Sequence, residues 1–176
     1  AVQNGLDVVQ FFAGTDFMNC NSFEWTNGNS TLFMVYKNIN SNSQFQGAFG
    51  IAVSVGLTYG MGQTPDRYAL FENGVNTDVF SVAPTSSNAD VTTWRTAGIS
   101  GSAATVTLRK NGTAAAASVT TTVPLTISTT AQIGAANGAN GIYDGYICEI
   151  LYYPSQLSDV DCASVEGYLK TKWGTP

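Results

Sequence analysis

The chain is expected to fold as an all-β, two-sheet antiparallel sandwich closed by a short C-terminal helix. Three observations carry this expectation. Apolar and β-branched runs are short and separated by Gly, Asn, Ser and Pro turns; helical periodicity is almost absent before Ser158; and the chain ends in a long apolar strand, a tight corner and an amphipathic helix. Its 176 residues suit a single domain, 1–176, large enough to bury a core without metal or several disulfides.

Val8–Phe12 reads as the first strand, closed by Ala13 to Asp16 before Phe17 and Met18 resume apolar contact. Thr31–Lys37 is continuously apolar, as a central strand covered on both faces should be. Asn38–Gln46 is a surface loop rich in Asn and Ser, and Phe49–Val55 and Tyr68–Phe71 are further strands. Val91–Ala97 alternates and places Thr92, Trp94 and Thr96 on one side, with Trp94 assigned to the core. Trp25, inside the polar stretch Glu24–Gly28, is also assigned to packing, with an exposed stacking platform as the alternative.

Thr105–Lys110 alternates and then meets Asn111-Gly112, a hairpin signal because both residues accept positive φ. The return strand is Ala114–Thr122, whose four alanines are too few to hold a helix. Ala131–Gly134 is a short strand, Ala135–Gly141 a loop rich in Gly and Asn, and Gly141–Tyr153 the long closing strand. Past the corner at Pro154, Ser158 and Asp161 form a capping arrangement in which the hydroxyl accepts from an orphan amide and the carboxylate answers it. Cys162, Val165, Leu169 and Trp173 recur on one helical face, while Asp161, Lys170 and Lys172 are left to water. Gly174 and Pro176 stop the helix.

Composition excludes several functions. Charged residues are 11% of the chain, His is absent, and fifty Ser, Thr and Asn residues make the surface hydroxyl and amide rather than ionic. A net charge of -5 and seven scattered cations give no basic stripe for nucleic acid. No segment approaches the roughly 18 apolar residues of a membrane helix. The chain begins at Ala1 without Met or signal peptide, as a processed or partial chain does. Cys20, Cys148 and Cys162 form no Cys-x-x-Cys, and without His a zinc site is not expected. Buried free thiols are the favoured reading, with a Cys148–Cys162 disulfide as the alternative in an oxidising compartment.

Four blocks together resemble one family. These are Phe11–Met18, then Val106–Gly112, then Ile133-Gly134, and finally Gly145–Ile150 continuing through Leu157-Ser158 to Tyr168–Gly174. They resemble the laminin-G-like branch of the concanavalin A-like lectin/glucanase superfamily, and the C-terminal block is the specific part. The resemblance implies a jelly-roll sandwich with one concave sheet, whose rim loops carry whatever binding there is.

That superfamily includes glycoside hydrolases, which need two carboxylates about 5–5.5 Å apart in retaining members. No Glu-x-Asp-x-Glu cluster exists, and the odd separation of Asp144 and Glu149 on one strand is expected to send them to opposite faces. With no His, a Ser/His/Asp or Cys/His site is excluded. The chain is therefore read as a non-enzyme, with no catalytic residues. Glu149 is read as a structural carboxylate satisfied by backbone amides or a Lys.

Calcium is the one metal the resemblance raises, and Asn137, Asn140 and Asp144 around a Gly-rich turn could supply oxygens. Only one is a carboxylate, so a turn is favoured over a metal site, and no cofactor is expected. The same loop, with Tyr143 and Tyr146 beside it, pairs aromatic face and amide as glycan sites do. The candidate ligand-binding residues are Asn137, Asn140, Tyr143 and Asp144. The preferred function is a structural or attachment part of a virus particle, a phage decoration, fibre or capsid domain. It would contact other virion proteins, copies of itself or cell-surface glycans at a virion surface or outside the cell. The alternative is a secreted or cell-surface carbohydrate-binding module.

Overall fold

The structure is a computed structural model that describes residues 1–12, 16–20, 29–39, 46–51, 57–61, 67–72, 75–80, 82–85, 88–98, 103–121, 130–135 and 141–176. Trp25 lies outside them. Within them the chain forms an antiparallel two-sheet jelly-roll sandwich with one helix.

The helix-side sheet runs in the order β12 (Thr113–Thr120), β11 (Thr105–Lys110), β10 (Asp90–Ala97), β5 (Ser30–Asn38), β14 (Gly145–Tyr153) and β3 (Val9–Phe11). The second sheet runs β4 (Met18–Cys20), β13 (Ala131–Ile133), β6 (Gln46–Ile51), β7 (Leu57–Met61), β8 (Tyr68–Glu72) and β9 (Val75–Val79). A separate hairpin, β1 (Val2–Gln3) and β2 (Leu6–Asp7), turns on Asn4 and Gly5, both at positive φ. That Asn-Gly is the same signal as Asn111-Gly112, and the sequence reading passed over it. Asn111 and Gly112 do turn the β11–β12 hairpin at φ 49° and 87°.

Strand β5 explains its own composition. Leu32, Met34 and Tyr36 point into the core between the sheets, and Phe33 and Val35 point outward under the helix α1 (Asp159–Trp173). Both faces are dry, so no polar alternation survives. Trp94 fills the centre of the sandwich, edge-on to Tyr59 and Phe80 at centroid distances of 5.2 and 5.4 Å. The threonines beside it serve the interior: Thr92 Oγ1 accepts from Trp94 Nε1 at 3.1 Å, and the Thr96 hydroxyl meets the Tyr59 hydroxyl at 3.4 Å.

The helix forms as its sequence specifies. Ser158 Oγ accepts from the Asp161 amide at 3.1 Å and donates to Asp161 Oδ2 at 2.6 Å, and Gly174 ends the helix at φ 62°. Cys162, Leu169 and Trp173 are buried over β5 and β10, with Val165 packed beside them. Burial of each large apolar side chain contributes about 1.5–3 kcal/mol. The two lysines do not simply face water: Lys172 Nζ pairs with Glu149 at 2.9 Å, and Lys170 Nζ donates to the Asn111 carbonyl at 3.4 Å. Cys20, Cys148 and Cys162 are all free thiols, so the alternative of a Cys148–Cys162 disulfide does not hold here.

The closing strand starts at Gly145, not Gly141. Residues 141–144 are instead tied across to the second sheet: the Gly47 amide donates to the Gly141 carbonyl at 2.8 Å and the Tyr143 amide to the Gly134 carbonyl at 2.9 Å. This crossing brings Tyr143 and Asp144 to one end of the sandwich.

Candidate functional site

Two chain crossings lie side by side at this end. One runs from β3 to β4 and includes Phe12 and residues 16–17; the other is 141–144. Beside them Gly134, at φ 84° and accepting from the Tyr143 amide, packs against the Phe11 ring so closely that any side chain there would collide with it. Phe12 is 58% exposed, Phe17 36% and Ile39 48%, and Met18 on the sheet edge is exposed too. Phe17 and Met18 were expected to resume core contact. Both are instead partly exposed, on and next to β4, which among the described residues is the edge strand of its sheet.

Register places the side chains. Gly145 pairs with Asn38 on one side and Phe11 on the other, and Phe11 points into the core. Pleating therefore turns the adjacent rows outward: Gln10, Tyr146 and Lys37 form one, and Phe12, Asp144 and Ile39 the other, one residue past the strand ends. The Ile39 amide donates to the Asp144 carbonyl at 3.0 Å, and the Asp144 amide to Gln46 Oε1 at 3.2 Å, so the Asp144 backbone is held from both sheets. Asp16 Oδ2 accepts from the Phe12 amide at 3.3 Å and fixes the start of the first crossing.

Among the predicted site residues, Asp144 is half-buried at this rim. Tyr143 is fully buried, edge-on to Phe11 and Tyr36, and burial holds its hydroxyl proton well above the ordinary phenol range. Its ring belongs to the core and offers no face to a ligand. Asn137 and Asn140 lie outside the described residues. Among the described residues at this end, Phe12 and Phe17 are exposed and Tyr146 stands half-buried on the outward row. Sequence reading placed Phe12 in the first strand and Phe17 in renewed apolar contact, because strand parity says nothing about whether a strand lies at a sheet edge.

Glu149, Glu166 and Asp90 are committed to structure. A bulge between Ile147 and Glu149 inserts one residue in β14, so Asp144 and Glu149 share the outer face despite their odd separation. That corrects the expectation of opposite faces. Four residue steps on β5 still separate their rows, roughly 13 Å at about 3.3 Å per residue, too far for retaining or inverting hydrolysis. Glu149 accepts from Trp173 Nε1 at 2.6 Å and pairs with Lys172. The lysine partner is as expected, and the Trp173 indole takes the place expected for backbone amides.

Two buried acids escaped the sequence reading. Glu166, 2% exposed, accepts from Thr93 Oγ1 at 2.7 Å and from Arg109 Nε and Nη2 at 2.8 and 3.0 Å. Asp90 accepts from Tyr68, Thr85 and Asn111 at 2.6–2.7 Å. Glu166 had one signal: it stands four residues after Cys162 and three before Leu169, on the apolar helical stripe. Among the described residues no three His, Cys, Asp or Glu gather in a metal-binding group, and no helix is long and apolar enough to cross a membrane.

No family model and no curated protein sequence matches the chain. Solved structures do. The CBM40 module of Ruminococcus gnavus IT-sialidase, bound to α2,3-sialyllactose, matches over 92% of this chain and 97% of its own, at 14% identity and a TM-score of 0.68. The chain shares the two-sheet sandwich fold of that module. The K499G mutant of NanB sialidase from Streptococcus pneumoniae matches over 89% of this chain at 17% identity and a TM-score of 0.66, and this chain spans only 27% of that protein. Trypanosoma rangeli sialidase in complex with the inhibitor DANA matches over 80% of this chain and 23% of its own, at 11% identity and a TM-score of 0.58. The expected role in a virus particle finds no support among these relatives.

Proposed function

We propose that this chain is a non-catalytic carbohydrate-binding module of laminin-G-like type, acting outside the cell or at its surface, and that it holds a glycan at the rim of the two crossings. Phe12 and Phe17 present aromatic faces to the apolar C–H side of a sugar ring. Asp144, with Asn137 and Asn140 preceding it in the neighbouring loop, exchanges hydrogen bonds with sugar hydroxyls. The observation that supports this reading most is the near-complete mutual coverage with a sialidase CBM40 module, itself solved with sialyllactose. Exposed aromatic side chains at the same end as Asp144 add to it.

The test is a glycan array probed with the full chain, followed by calorimetry on the strongest hit. Stacking on each ring contributes about 0.5–1.5 kcal/mol, so Phe12→Ala or Phe17→Ala should weaken binding roughly 2- to 12-fold. Both side chains are exposed, so the melting temperature should hardly move. A double variant that binds as the native chain does, or an array without saturable hits, sinks the proposal.

A further inference from the structure

Resting on the glycan-binding reading above, we infer that the ligand is a neutral, hydroxyl-rich glycan and that sialylated, sulfated or uronic-acid sugars are disfavoured. The argument is a census of positive charge. The chain has seven cations and no His, and all seven are among the described residues. Five are engaged on the helix side of the molecule. Arg95 holds Asp159 at 2.7 Å, Arg109 holds Glu166, Lys172 holds Glu149, Lys110 donates to the Ala83 carbonyl at 2.6 Å beside Asp90, and Lys170 reaches the Asn111 carbonyl.

The other two are Lys37 and Arg67. Lys37 stands on the outward row of β5 next to the row of Phe12, Asp144 and Ile39, and Arg67 immediately precedes β8 of the second sheet. They stand on different sheets, so the rim row has a single ammonium beside it and no bidentate fork. Recognition of a carboxylate or sulfate in a desolvated site needs a bidentate arginine or convergent cations, because an uncompensated charge is expensive to remove from water. The rim instead brings Asp16 and Asp144 beside Phe12, in a chain of net charge -5. Carboxylate oxygens accept from sugar hydroxyls and repel an anionic sugar, both locally and as it approaches.

The experiment probes the full chain with an array that pairs neutral oligosaccharides with their sialylated and sulfated derivatives, and then measures lactose or the strongest neutral hit against its sialylated form by calorimetry. The neutral sugar should bind at least tenfold tighter than its charged form at low salt. Asp16→Asn with Asp144→Asn should narrow that gap, and Lys37→Gln and Arg67→Gln should leave neutral binding within about twofold. Tighter binding of the charged form, or its loss on removing Lys37 or Arg67, overturns the inference while leaving glycan binding standing. Failure of every glycan to bind overturns both.

Discussion

Removing the Glu166 carboxylate is the sharpest test of how the helix is held to the sheet. In Glu166→Ala the Arg109 guanidinium, whose side chain is only 13% exposed, loses both bonds to the carboxylate, and the Thr93 hydroxyl loses its acceptor. Breaking a buried, hydrogen-bonded pair from one side costs about 3–5 kcal/mol. Arg109 keeps the Gly112 carbonyl at 3.0 Å and Asp159 at 4.0 Å, which places the cost near the lower end, about 3 kcal/mol. For a domain of this size that lowers the melting temperature by roughly 6–12 °C. Glu166→Gln keeps an acceptor for Thr93 and loses mainly charge assistance, so it should cost about half as much. Calorimetry on Glu166→Ala, Arg109→Ala and the double variant gives the coupling, expected at about 2–3 kcal/mol. A loss below about 1 kcal/mol for Glu166→Ala, or additive single effects, would refute the reasoning.

Burial holds the Tyr36, Tyr59, Tyr68 and Tyr143 hydroxyls above the ordinary phenol range, with neighbouring Asp90 adding to the effect on Tyr36 and Tyr68. The folded chain thus keeps protons that the unfolded chain releases above about pH 10, so this stabilisation is complete below pH 10 and lost as pH rises beyond it. Ultraviolet phenolate absorbance and circular dichroism followed together should show these four ionising only as the chain unfolds; full ionisation of a native fold contradicts the burial. Burial, with Glu149 adding to it, pushes the Cys148 thiol up to about 12, and Cys162 is raised chiefly by burial too, so both should react far more slowly with a thiol reagent at pH 8 than in denaturant. Rapid labelling of Cys162 in the native chain would show that α1 opens easily. Gly134→Ala should destabilise the domain by more than about 1 kcal/mol, since the backbone is at φ 84° and the Phe11 ring blocks the side chain; an unchanged melting temperature would count against that packing.

Much of the fold was legible because its signals are local. Thr31–Lys37 announced a strand dry on both faces by having no polar alternation, Asn111-Gly112 announced a turn by its tolerance of positive φ, and Ser158 with Asp161 announced the helix start. What escaped depends on tertiary position. Strand parity could not say that β4 is an edge, so Phe17 was read as returning to apolar contact; nor could it count the extra residue in β14, so Asp144 and Glu149 were sent to opposite faces. Less of the candidate rim was legible: Asp144 stands half-buried there, but Tyr143, chosen for its ring, is core, and the exposed rings belong to a crossing distant in sequence. The composition that suggested a particle surface suits a hydroxyl-rich lectin surface equally well, so it could not choose between them.

The central claim is that this rim holds a sugar. The most direct measurement is an amide nuclear magnetic resonance titration of the labelled full chain with the strongest glycan found on an array. Saturable shifts should gather on Phe12, Asp16, Phe17, Ile39 and Asp144, and the Glu166 and Trp173 region should stay still. Shifts centred on the helix or on β11 and β12, or no saturable shift with any glycan, would contradict it.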